Sequence, residues 1–95
     1  MSLDQLSALD LHKIRERWAA TTPGPWISFI EGRDHTSGDS FIWRGREEAR
    51  EEDLYLSGAT VADQDFIAHT HQDIPRLIAE IERLRKALND GNMNP

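Results

Sequence analysis

The sequence predicts an α+β fold: a small three-stranded antiparallel sheet packed by an N-terminal helix and two C-terminal helices. Three observations predict it. Apolar residues recur at helical spacing near both ends of the chain, three short strand-forming runs lie between them, and turn-forming residues separate those runs. With 95 residues, one small domain is expected over 1–95, with frayed ends at about 1–6 and 90–95, because a chain of this size buries about two-thirds of its surface around a single core.

The first helix is expected over Leu9–Ala20, where Leu11, Ile14 and Trp18 form an apolar stripe. Asp10, or Ser7 with Asp10 three residues on, supplies its N-terminal cap. Thr21–Trp26 stops it, and Pro23-Gly24 suits the centre of a type II turn, with Gly24 at positive φ. Trp26–Ile30 and Phe41–Trp43 read as strands across a polar 31–40 loop. Arg44–Asp53 mixes three Arg with five acidic residues, as a solvated connection or short exposed helix does. Leu54–Leu56 reads as the third strand.

Thr60-Val61-Ala62-Asp63 has a capping-box pattern, and Ala62, Phe66, Ile67 and Thr70 support a short helix after it. Asp73 is placed to cap a second helix with Pro75 in its first turn, where the missing N–H is not needed. Ile74, Leu77, Ile78, Ile81, Leu84 and Leu88 form the clearest apolar stripe in the chain, and Asn89-Asp90-Gly91 is expected to end it.

Eleven Lys+Arg against seventeen Asp+Glu give a net charge of -6, which disfavours direct nucleic-acid binding. The absence of cysteine removes disulfides, thiolate nucleophiles and Cys-based metal sites. No apolar run approaches the ~20 residues of a membrane span, so a cytoplasmic, membrane-free protein is expected. Gly-rich phosphate loops, nucleophile elbows and His-Glu-x-x-His helices are all missing. The expectation is a non-enzyme with no catalytic residues and no cofactor.

Thr22-Pro23-Gly24-Pro25-Trp26, Ala62-Asp63-Gln64-Asp65-Phe66-Ile67-Ala68, and the run from Asp73-Ile74-Pro75 through Leu84 together carry a resemblance. The chain resembles small phage and prophage proteins of the Ead-like kind. In these, a helix ends in a Thr-Pro-Gly-Pro-Trp-like turn, a variable strand region follows, and an Asp-x-x-Phe-Ile-Ala helix runs into a leucine-rich helix. The resemblance covers about half the chain, at its two ends, and implies a phage-related protein without an established reaction. Its motifs define a fold and hand over no catalytic residue.

Several constellations compete for function. His69 and His71 with Asp73, joined by Asp65 or His12, have metal-ligand chemistry, but residues two apart on a helix project about 200° apart. They can share an ion only if the helix ends near Thr70. With the 31–40 loop they define the alternative of a small-ligand or metal-binding protein, in the extreme a metal-dependent enzyme. The acidic balance defines another, a decoy that imitates DNA. Trp18, Trp26 and Trp43 are expected to dominate the core by area.

The preferred reading is an acidic protein-interaction domain whose partner is a second copy of itself or a phage or host factor. The stripe Ile74, Leu77, Ile78, Ile81, Leu84, Leu88 is its candidate interface, too broad for a small sheet and one helix to cover. A homodimer is therefore expected.

Overall fold

The computed structural model describes residues 5–93. Its described residues show the expected α+β architecture, with the element order α1 (Ala8–Ala19), β1 (Trp26–Phe29), β2 (Phe41–Arg44), a 3-10 turn (Glu47–Ala49), β3 (Glu51–Leu54) and α2 (Val61–Met93). They divide into two compact units: one is the chain up to Ala20 together with the chain from Ile74 onward, the other Thr21–Asp73.

In the first unit, α1 begins where the capping box places it. The Ser7 hydroxyl accepts from the Asp10 N–H at 3.0 Å, and the Asp10 carboxylate accepts from the Ser7 N–H at 2.9 Å. These bonds satisfy two donors that the first turn would otherwise leave open, and hold the Asp10 carboxyl below its usual range. Leu11 and, from α2, Ile78 are buried. Arg15 on α1 bonds Glu82 on α2 at 2.7 Å, and Arg85 donates to the Leu6 carbonyl.

In the second unit, the three strands lie in the order β1-β2-β3, both pairs antiparallel. Trp26 pairs with Arg44, Ile27 with Trp43, Ser28 with Ile42 and Phe29 with Phe41. Because strand side chains alternate, Trp26, Ser28, Ile42 and Arg44 share one face, and Ile27, Phe29, Phe41 and Trp43 the other. The first part of α2 covers the Ser28 face. Ile30, Ile42 and Ala68 are buried there, Ile42 completely.

Several expectations are corrected. The two C-terminal helices are one helix of 33 residues with Pro75 inside it. Asp73 therefore caps nothing, and the His71 carbonyl loses the donor that Pro75 cannot supply. Buried residues on both sides of the proline, His71 and Ile78, provide the packing that offsets this loss. At the far end Gly91 lies within the helix rather than after it, so fraying from 90 does not hold as far as 93. Residues 1–4 and 94–95 of the expected frayed ends lie outside the described residues.

The third strand is Glu51–Leu54, not Leu54–Leu56. Ile42 pairs with Leu54 and Arg44 with Glu51, so three steps on β3 oppose two on β2, a bulge. The Arg44 guanidinium fixes this register by donating to the Glu52 carbonyl at 3.1 and 2.9 Å. The acidic run consequently lies on an edge strand, where charge discourages further strand pairing.

Gly24 does not take positive φ, and the Gly24–Pro25 peptide is cis, so the turn is not of type II. The position is tight by close approach rather than by φ. A Cβ at Gly24 would lie 3.0 Å from His71 Nδ1 and 3.1 Å from its Cε1.

None of the three tryptophans is fully buried, and the fully buried apolar residues among those described are aliphatic. Trp26 stacks on the His71 ring at 4.5 Å and 5°, and the Arg50 guanidinium lies 3.7 Å over the ring of Trp43.

Candidate functional site

The apolar stripe of α2 is divided by the structure. Ile78 is 4% exposed, whereas Leu77, Leu84 and Leu88 are 57%, 48% and 66% exposed. Ile74 and Ile81 are half-buried between these extremes. On a helix with 100° per residue, Leu77, Leu84 and Leu88 fall within about 40° of one another, and Ile78 lies on the opposite flank of the sector. The interface expected from six residues thus narrows to an edge of three leucines bordered by Ile74 and Ile81. Ile78 leaves the candidate set because it is consumed in the interior.

Ion pairs flank this edge. Arg83 holds Glu80 through two bonds, 3.1 and 2.6 Å, and Arg15 holds Glu82. These hydrogen bonds lower the carboxyl pKa values of Glu80 and Glu82 and raise those of both arginines. The edge therefore combines large exposed aliphatics with fixed charges.

The histidine alternative loses its geometry. His69 and His71 lie on one uninterrupted helix, so the condition that the helix end near Thr70 is not met. His69 is exposed, with Nδ1 2.8 Å from the Asp65 carbonyl of its own helix. His71 is buried between the Trp26 ring and Thr21, whose hydroxyl lies 2.9 Å from its Nε2. Asp65 is engaged by Arg33 through bonds of 2.8 and 3.0 Å. No cluster of three His, Cys, Asp or Glu able to hold a metal occurs among the described residues.

The 31–40 loop likewise spends its donors on itself. The Ile30 N–H donates to the Asp34 carboxylate, the Gly32 N–H to the His35 carbonyl, and the Arg33 and Asp34 N–H groups to the Ile30 carbonyl. A cradle for an anion needs those groups free. Arg33 bridges Asp34 and Asp65, which holds the Asp65 carboxyl down at about 2, with the Arg33 bond the largest cause and a Ser28 bond next.

Two features escaped sequence reasoning. The inward face of α2's first part is Gln64, Ala68 and His71, all buried, rather than Ala62, Phe66, Ile67 and Thr70. Phe66 is 72% exposed. The Gln64 amide donates toward Ser28 Oγ, the Phe29 carbonyl and the Phe41 carbonyl. Gln72 accepts from the Trp26 N–H and donates to its carbonyl, both at 3.0 Å. Two glutamines eight residues apart thus clasp β1 to the helix. The spacing 64, 68, 71, 72 is helical, but hydropathy hides it because two of the four are glutamine.

The second feature is the sheet face away from α2. Phe29 stacks on Phe41 at 5.3 Å, Trp43 lies 6.0 Å from Phe29, and Tyr55 lies 6.1 Å from Phe41. A shallow depression of about 660 Å³ opens beside Ile27, Phe29 and Trp43. These rings contact one another, and the Arg50 guanidinium lies over Trp43.

Comparison with known proteins bears on origin. No family model matches the chain, and no solved structure matches it. A stretch of 58 residues is 39% identical to the Gene 39 protein of Mycobacterium phage L5. That stretch covers 61% of this chain and 40% of the phage protein, so the chain spans less than half the length of the curated relative it matches. The chain is phage-like. No helix among the described residues is long and apolar enough to cross a membrane.

Proposed function

We propose that this protein is a non-enzymatic, cytoplasmic protein-interaction domain of phage or prophage origin, of the Ead-like kind, which self-associates through the C-terminal part of α2. The observation that carries the reading is the row Leu77, Leu84, Leu88, with about half or more of each residue in water. Fully burying a leucine is worth about 1.5–3 kcal/mol. Three in a row on one edge therefore represent a substantial driving force toward a covering surface. A symmetric pair buries the same edge of both copies at once, which is why two-fold dimers are the commonest solution. The negative net charge fits a protein partner better than a polyanion.

The test is Leu84→Glu in the full chain. An interfacial leucine predicts a variant with unchanged helical circular dichroism and a solution mass reduced to one chain. If the variant keeps the wild-type mass, Leu84 is not interfacial. A partner other than the chain itself would appear as a wild-type monomer that captures a phage or host protein through the same three leucines.

A further inference from the structure

The exposed edge has an internal register that also specifies how two copies meet. Ile74, Leu77, Ile81, Leu84 and Leu88 are separated by 3, 4, 3 and 4 residues, which is the a-d-a-d-a pattern of a heptad seam. Isoleucine occupies the first two a positions and leucine both d positions, the combination that favours two parallel strands. Ile78 falls at e, outside the seam, in agreement with its burial inside the subunit.

Charge adds the direction. In this register Glu80 is at g and Arg85 at e of the following heptad. Parallel, in-register helices set g of one strand against e five residues further along the other. Glu80 then faces Arg85 of the partner subunit, twice by symmetry. Both groups have capacity for it. Glu80 is half exposed and bonded only along its own helix, to Arg83. Arg85 is exposed and gives a guanidinium N–H to the Leu6 carbonyl, leaving other donors of its five. An antiparallel pairing centred on Ile81 sets like positions side by side instead. With e then facing e and g facing g, Glu80 and Arg85 lie on opposite sides of the seam and the complementary pair is lost.

We infer that the partner on this edge is a second copy of the chain, aligned parallel and in register over residues 74–88, with Glu80 and Arg85 paired across the seam. The inference rests on the self-association reading and adds its geometry. The seam covers only about two heptads, too short to persist as an isolated coiled coil, so it requires the folded chain behind it.

The chain has no native cysteine, so a single introduced thiol reports its own symmetry mate. Leu88→Cys lies at the seam's end, where loss of one side chain costs association least. In the parallel arrangement the two thiols are within disulfide reach. In the antiparallel one each faces residue 74 of its mate, and the thiols are about 20 Å apart along the axis. Mild oxidation of the full-length variant at micromolar concentration is expected to shift nearly all of it to a disulfide-linked dimer on a non-reducing gel. Lys86→Cys, at the outward f position, should stay reduced. Leu84→Cys, a second seam position, should behave as Leu88→Cys does. If the wild type is dimeric by light scattering but both seam variants stay reduced, while an Ile74→Cys and Leu88→Cys mixture cross-links, the parallel inference falls and self-association stands. A wild-type monomer removes both.

Discussion

Gln64→Leu removes the clasp between α2 and the first two strands while leaving the volume at that position nearly unchanged. The Gln64 side chain is 4% exposed. Its amide nitrogen lies 3.0 Å from Ser28 Oγ, 3.2 Å from the Phe29 carbonyl and 3.0 Å from the Phe41 carbonyl. An amide has two N–H bonds, so two of these three acceptors are served at once. Leucine donates nothing, and each buried acceptor left short costs about 1–3 kcal/mol. The carbonyls keep a second lone pair for other donors, which places the sum in the lower half of the range, about 2–3 kcal/mol. A domain of this length is stable by about 5–14 kcal/mol. The loss should therefore lower the melting temperature by about 8–20 °C. Urea unfolding followed by circular dichroism should show a lower midpoint with an unchanged slope. Gln64→Glu should be worse than Gln64→Leu at neutral pH, because a carboxylate would face two carbonyl oxygens. A Gln64→Leu unfolding free energy within about 0.5 kcal/mol of wild type, or a harmless Gln64→Glu, would refute the clasp.

Two further outcomes follow from the second unit. Gly45 is buried at φ 100°, and a Cβ there would lie 2.8 Å from the Ala49 carbonyl oxygen. Gly45→Ala should destabilise by about 2–4 kcal/mol in the same urea assay, combining backbone strain with the clash. Asp65, held at about 2 against an ordinary 3.8 by Arg33, contributes stability that is complete above pH about 4 and is lost as pH falls through about 2. Carboxyl NMR titration should show Asp65 ionised well below the ordinary 3.8, and Arg33→Ala should raise it toward that value.

Elements governed by local chemistry were legible in the sequence. Ser7 with Asp10 and Thr60 with Asp63 announce their helix starts because each capping box closes within four residues, and both are formed. The first two strands stand out by their aromatic and β-branched runs. What escaped depends on partners distant in the chain. The shift of β3 onto Glu51–Leu54 is set by a bulge and by Arg44, not by the residues' own strand preference. The continuity of α2 through Pro75 reflects packing on both sides of it, which no local stop signal reveals. Gln64 and His71 are polar and therefore read as surface, yet their hydrogen bonds and ring stacking make them the inward face. The stripe of α2 was visible as a periodicity, but periodicity alone does not say which flank the fold covers. Ile78 and Leu84 look equivalent until burial separates them.

The central claim, association through the leucine edge of α2, is tested most directly by the wild-type mass in solution. Light scattering coupled to size exclusion, over a micromolar concentration series, should give twice the chain mass of 10.9 kDa, falling toward a single chain only on dilution. A mass of 10.9 kDa throughout the series would contradict it.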